Sequence, residues 1–496
     1  MSKNKIRLDI CINFFFSMVR AISLMWIIRV AGATFNQAVL GSFLLARRNS
    51  STGANLLQLG MAQTIKRNVA KNKENDEKKL FVIYALWILF FLGLTSIPLI
   101  RLFNNFLSEL IYPNTDASSD LVLWTWFLLL ALILNFIAVS TYMAERKVVS
   151  ANIIETMSVS GFLLLALFLL NNASPKPYEI LMWQTYGIII ISILFIIFYL
   201  NKQNRVKKIS VSKKRYIINE FISYGLPRGL ITFLDMCLLL IVPWFLRKDP
   251  EQAGYILIAF TVVKIIQTVI NPISQIVSIV VAKYIGEGKK QLIEKGICLT
   301  LGTVIYLSVL IAVGMLPWTD KLVYAWLGSS KTTFGVLNYM NALLIAAIPF
   351  SIFQGVKSII EMIWHKPYNL YTLITGIIVQ FISFVFFEKN LGLAMAANIS
   401  ILLSFSVIGV MSIFWIRNYL ANLKYFGFKK LIAITIGVGF INYVGASVIN
   451  NPFVAVVFLS ISEATALIML ITIFKTPFIS DVYSFIMPKF ILEWRN

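Results

Sequence analysis

The chain has 496 residues, 58% of them hydrophobic, with 44 Lys and Arg against 22 Asp and Glu and a formal net charge of +22. This composition excludes a soluble domain, because apolar runs of about twenty residues recur throughout, the length that crosses a hydrocarbon core of about 30 Å. So positive a charge in a soluble protein points to nucleic acid; here the cations sit mostly in loops between apolar runs, where the positive-inside rule accounts for them, and no nucleic-acid partner is expected.

Lys3, Lys5 and Arg7 precede the first apolar run, as in a signal peptide. Arg20 interrupts that run and further spans follow, so the segment reads as a retained first helix. Fourteen spans are expected, at about 10–31, 37–65, 80–100, 121–144, 148–171, 178–200, 222–246, 254–282, 296–318, 336–363, 370–387, 392–416, 429–449 and 453–475. The second has a polar middle, Arg47-Arg48-Asn49-Ser50-Ser51-Thr52-Gly53. Such a stretch is tolerable only against protein or water, not lipid. The fold class is therefore an all-α polytopic membrane protein.

The loops test the count. An even number of spans puts both termini on one side, and most of the 44 basic residues fall there; the opposite loops carry only Arg101, Lys176, Arg247, Lys248, Lys321, Lys331 and Lys389. The asymmetry makes the termini cytoplasmic. Residues 201–217, with Lys202, Arg205, Lys207, Lys208, Lys213, Lys214 and Arg215, form a basic cytoplasmic linker drawn to anionic lipid. The domain reading is an N-lobe over 1–200, this linker, a C-lobe over 218–420, and two further spans with a cytoplasmic tail over 421–496. The tail beyond residue 476 mixes aromatic and basic residues and reads as interfacial.

Two parallel six-span repeats explain the layout, a known plan for transporters. Arg48, Thr52 and Asn55 on span two match Lys264, Thr268 and Asn271 on span eight in residue type and spacing, and each set forms one narrow helical stripe. Gln275 continues the second stripe. The functional reading is two cationic stripes lining a central cavity for an anion. Polar glue between helices explains the Thr and Asn residues but not the cations.

Seven cations lie within membrane-length segments: Arg20, Arg29, Arg47, Arg48, Arg228, Lys264 and Lys357. Each costs roughly 2.5–3.5 kcal/mol at mid-bilayer on insertion scales. Arg29 reads as an interfacial anchor and Lys357 as half of an (i, i+4) pair with Glu361. The intramembrane acids are Glu155, Asp235, Glu361 and Glu463; Asp235 and Glu155 are candidates for ion coupling, with neutralisation of a neighbouring cation as the alternative role.

No phosphate-binding G-x-x-x-x-G-K-[ST] loop, G-x-S-x-G elbow or H-E-x-x-H occurs. ATP hydrolysis within this chain is therefore excluded as an energy source. The three cysteines (Cys11, Cys237, Cys298) lie in or beside apolar runs, against a disulfide framework, and His365 is the single histidine, so no multi-histidine metal site is possible. No catalytic residues, metal or cofactor are expected.

Six, six and two spans with a basic linker after the sixth resemble the polysaccharide transporter family of the multidrug/oligosaccharidyl-lipid/polysaccharide exporter superfamily. Local strings agree: Gln58-Leu59-Gly60-Met61-Ala62 with Lys66-Arg67-Asn68-Val69-Ala70, then Tyr224-Gly225-Leu226-Pro227, then Glu251-Gln252-Ala253-Gly254-Tyr255. The resemblance covers nearly the whole chain. It implies a bacterial inner-membrane flippase, similar to O-antigen repeat-unit flippases, that moves undecaprenyl-diphosphate-linked oligosaccharide to the outer leaflet. The implied partners are that lipid-linked sugar, membrane lipids, a polysaccharide polymerase and a chain-length regulator. The positions that match the family's cationic cavity are Arg20, Arg47, Arg48 and Lys264. A peptidoglycan-precursor flippase and a drug–cation antiporter remain alternatives within the superfamily, and a membrane polymerase or ligase is the alternative of another class.

Overall fold

The structure is a computed structural model. It describes residues 3–71, 75–112, 118–145, 147–170, 176–201, 211–286, 290–328, 331–364, 366–420 and 428–472. Linker residues 202–210, His365 and the tail beyond Thr472 lie outside these. The described residues are helical with short connections and no strand. The chain is an all-α polytopic membrane protein.

The helices are α1 (Lys3–Thr34), α2 (Gln37–Leu57), α3 (Met61–Lys71), α4 (Asn75–Leu102), α5 (Asn104–Ile111), α6 (Ser118–Ala144), α7 (Val148–Thr156), α8 (Phe162–Leu170) and α9 (Pro177–Asn201). There follow α10 (Val211–Glu220), α11 (Leu226–Leu238), α12 (Ile241–Phe245), α13 (Pro250–Gly286), α14 (Lys290–Met315), α15 (Thr319–Leu327), α16 (Lys331–Ile363), α17 (Tyr368–Leu391), α18 (Leu393–Ile416), α19 (Phe428–Val448) and α20 (Pro452–Thr472). Local chemistry sets their ends. The Asn36 side chain accepts from the Val39 N–H at 2.9 Å and caps α2. Asp76 and Glu77 open α4 and Arg101 closes it, each matching the helix dipole.

Among the described residues, ten helices are long and apolar enough to cross a membrane, or eleven if α10–α11 and α12 count as one span bent by 58°. The sequence count is fourteen, and the difference falls at three helices. The polar middle of α2 keeps it out of the apolar set, α20 counts as a shorter apolar helix over Pro452–Ala466, and α13 has side chains described only intermittently beyond Thr268.

The chain divides into two compact units, residues 11–258 and residues 259–496 with 1–10, with the boundary inside α13. In the first, α6 is central and packs against α2, α3, α4, α7 and α9. Ile133 and Ile137 of α6 are buried with Ile65, Phe81, Val82 and Ile154. Residues read as the start of the second lobe, α11, pack in this unit on α2 and α3. In the second unit α16 and α18 pack together, with α14 and α17 beside them; Phe350 stacks on Phe405 at 4.4 Å. The last two helices are fastened within this unit. Trp318 Nε1 donates to Asn442 Oδ1 at 2.9 Å, the Ser462 hydroxyl donates to the same oxygen at 2.9 Å, and Lys321 donates to the carbonyls of Ala446 and Ile449.

Two glycine junctions hold α2. Between α2 and α3 the chain breaks at Leu59 (φ 47°) and Gly60 (φ 71°). A Cβ on Gly60 would stand 1.9 Å from the Gly225 carbonyl oxygen, and one on Gly229 would stand 2.5 Å from the Gly60 nitrogen. At the other end, a Cβ on Gly41 would meet the Pro250 carbonyl oxygen at 1.7 Å. Backbone thus touches backbone at both ends, as small residues permit between membrane helices. Gly60→Ala is expected to lower the melting temperature of the purified protein by roughly 5 °C or more, whereas Gly437→Ala, which meets nothing within 4 Å, leaves it unchanged in the same thermal scan.

Candidate functional site

The polar stretch of α2 is covered by protein. The Ser50 hydroxyl contacts the carbonyls of Ala46 and Thr125, the Asn49 amide donates to the Tyr112 hydroxyl at 3.3 Å, and the Tyr112 and Thr125 hydroxyls share a hydrogen bond at 2.9 Å. Gly53 lies against Leu129 of α6. The segment that no lipid could solvate is solvated by α6 and the residues before it.

Arg47 and Arg48 diverge because successive residues point about 100° apart. Arg47 Nη2 donates to the Val159 carbonyl at 3.3 Å, and its guanidinium lies 5.8 Å from the Phe43 ring centre. Val159 belongs to a π-helical turn, Met157–Gly161, between α7 and α8. Such turns interrupt the regular ladder and are frequent at functional sites. The same turn accepts Gln184 Nε2 on the Ser158 carbonyl at 3.3 Å, and Asn135 donates to the Ser158 hydroxyl.

Arg48 is 7% exposed. Its Nη2 donates at 3.1 Å to the carbonyl of Met236, near the C-terminal end of α11, where the helix breaks before α12. Helix C-termini present partly negative carbonyls, which suit a cation. Asp235 stands close enough to act on the guanidinium electrostatically. Arg48 Nε, Thr52 Oγ1 and Gln58 Oε1 are buried without a hydrogen-bond partner. Between them Asn55 donates to the Ser51 carbonyl at 2.8 Å and accepts from Gln58 Nε2 at 3.1 Å. Buried atoms without a partner also occur elsewhere in this unit, at Gln63, Asn104, Gln184 and Ser192, but among them Arg48, of the stripe Arg48–Thr52–Asn55, is the one that carries a positive charge. Sequence reasoning missed Gln58, although it stands one turn further along the same face.

Arg20 is differently placed. Its Nη1 is 3.1 Å from Glu155 Oε2 and 3.0 Å from Asn152 Oδ1, and its Nη2 donates to the Ser17 hydroxyl at 2.9 Å. Asn152, fully buried, also donates to Asn13 Oδ1 at 2.6 Å. Glu155 thus neutralises Arg20 and ties α1 to α7. The acid on Arg20 is thus Glu155, while Asp235 acts on Arg48.

The other deep cations have separate roles. Arg228 and Arg67 both lie against the Tyr224 ring, at 3.9 and 4.1 Å from its centre. Arg29 is exposed. Lys357 lies over the Phe353 ring at 5.7 Å, and Asn369 donates to Glu361 Oε1 at 3.1 Å. In the second unit Lys264 is half-buried, and the Thr268 hydroxyl donates to its carbonyl at 2.8 Å. The side chain of Asn271 lies outside the described residues. Glu463 Oε1 is buried without a hydrogen-bond partner, against Gly314. No group of three or more His, Cys, Asp or Glu that could hold a metal occurs among the described residues.

The Arg20–Glu155 pair is testable by a double-mutant cycle. Arg20→Met and Glu155→Gln are each expected to lower thermal stability, and the double variant to lose up to about 1 kcal/mol less than their sum, the coupling expected of a partly exposed pair. Purely additive losses would contradict the pairing.

No protein-family profile matches the chain, and no curated protein matches it. Solved structures do. The lipid II flippase MurJ in an inward closed conformation superposes with a TM-score of 0.70 at 14% identity, over 96% of this chain and 98% of that one. A multidrug resistance MATE transporter of the MOP superfamily, inward-facing, gives 0.64 at 14% identity over 83% and 99%. A MOP superfamily transporter from Pyrococcus furiosus, described as having a binding pocket of reversed polarity that suggests a different function, gives 0.57 at 13% identity over 85% and 95%. The chain has the fold of the MOP superfamily transporters.

Proposed function

We propose that this protein is a flippase of the bacterial inner membrane, with cytoplasmic termini, that moves undecaprenyl-diphosphate-linked oligosaccharide from the inner to the outer leaflet. The observation that carries this reading is Arg48, a buried guanidinium with a nitrogen left over. A diphosphate supplies anionic oxygens to such a group, and guanidinium binds phosphate through two parallel hydrogen bonds. The share of the chain covered by a lipid-linked-substrate flippase, 96% against 83% for the drug transporter, supports the same reading. In the first unit the acid on α7 is already paired with Arg20, which disfavours a site built for cationic drugs.

In this mechanism the residues that serve the anion are Arg47, Arg48, Thr52 and Asn55 of the N-lobe (1–200) and Lys264, Thr268 and Asn271 of the C-lobe (218–420), and transport is by alternating access. The diphosphate engages the cations, the sugar occupies water, and the prenyl tail stays in lipid. Arg20 positions α1 against α7 rather than holding phosphate. Asp235, beside Arg48, is the group through which an ion gradient resets the cycle. The protein performs no covalent chemistry; a polymerase and a chain-length regulator act on its product.

A second reading is a peptidoglycan-precursor flippase, favoured by the likeness to MurJ. The two separate in cells. Expressed in a strain lacking its own O-antigen flippase, the wild-type chain is expected to restore surface polysaccharide, and Arg48→Glu and Lys264→Glu to abolish it at normal membrane levels. Rescue confined to a strain depleted of its lipid II flippase would assign the second reading. Normal export by both charge-reversed variants would remove the cationic cavity.

A further inference from the structure

A recess of about 1080 Å³ opens in the first unit, away from Arg48. One wall is α4, with Tyr84, Trp87 and Phe91; the other is α10 and the turn that follows it, with Ile218 and Phe221. Its floor is Leu59 and Met61, which flank Gly60, so the recess adjoins the junction where the α2–α3 break meets Gly225. Among the described residues, the single charged one lining it is Lys214.

The charges about its mouth are unevenly matched. Lys214 and Arg215 are exposed at the start of α10, and the sequence there reads Lys213-Lys214-Arg215. Glu220, the acid on the same helix, is turned away to Arg67 at 3.4 Å and Asn68 at 3.2 Å. Lys78 is spent on Glu145 at 3.1 Å. Asp76 and Glu77 open α4, and Glu77 is near enough to act on Tyr216. Lys214 is nonetheless the charge on the recess itself.

We infer that this recess is a binding site for an anionic phospholipid, with its acyl chains between α4 and α10 and its phosphate at Lys214 and Arg215. A concave apolar surface holds a hydrocarbon chain along its length, where a convex helix only brushes it, and burial of each methylene adds to the binding. Basic pockets between membrane helices, on the side that carries the basic loops, select anionic headgroups. The aromatic rings supply broad, stiff contact area. An occupying chain also packs on both sides of the Gly60–Gly225 crossing and braces it. The inference is independent of which substrate the protein moves.

Trp87, 53% exposed in the recess, reports on the occupant. The full chain is placed in nanodiscs containing a small fraction of brominated phosphatidylglycerol or brominated phosphatidylcholine, and tryptophan emission is measured. Phosphatidylglycerol is expected to quench more than phosphatidylcholine at equal mole fraction. The excess is expected to disappear in Trp87→Phe, which removes the reporter, and in Lys214→Glu/Arg215→Glu, which keeps it. Both sites are exposed, and an unchanged melting temperature confirms the fold of each variant. Equal quenching by the two lipids, or an excess that survives charge reversal, would overturn the site. Loss of the excess on adding undecaprenyl diphosphate at one equivalent per protein would overturn it too, by assigning the recess to a prenyl lipid.

Discussion

A guanidinium buried in a helix that would otherwise cross lipid must be given acceptors by the protein, and residues 11–258 are arranged around that demand. Arg48 cannot face hydrocarbon, so α2 is enclosed. Enclosure requires close approach at both ends, which Gly41 and Gly60 allow by letting backbone meet backbone. It also requires a carbonyl at the guanidinium, which the broken end of α11 provides through Met236. The hydroxyls and amides along α2 are then met by Tyr112 and by Thr125 of α6. One costly charge thus accounts for an interrupted helix, two glycine junctions and a bent neighbour.

The membrane spans were legible because their signal is simple: apolar length, with Lys and Arg gathered in alternate loops. The stripe of Arg48, Thr52 and Asn55 was legible from helical spacing alone. Other features left no local mark. Glu155 lies 135 positions from Arg20, and nothing along the chain pairs them. The π-helical turns at Met157–Gly161 and Phe221–Gly225 have compositions common to membrane helices. The break at Leu59 depends on a non-glycine residue with positive φ, which sequence rules disfavour. Apolar length alone does not single out α2, which has the length of a span but a polar middle.

The deep cations therefore divide by partner rather than by depth. Arg20 has a carboxylate, Arg228 has an aromatic ring and Arg47 has a carbonyl of a π turn. Among the described residues, Arg48 is the deep arginine that keeps a buried nitrogen unpartnered. A buried donor left unmade costs free energy, and an anionic ligand recovers it. On the proposed function, the group that dictates the enclosure of the helix is also a charged group with a nitrogen left for a phosphate.

The most direct measurement is the affinity of the purified protein for a short-chain prenyl diphosphate, by titration, for wild type, Arg48→Lys and Arg48→Gln. Loss of a charge-assisted hydrogen bond is worth about 1.5–3 kcal/mol. The account predicts that Arg48→Gln weakens binding roughly tenfold to a hundredfold, with Arg48→Lys between it and wild type. Equal affinity for all three proteins, each folded by thermal scan, would contradict the claim that Arg48 holds the substrate's phosphate.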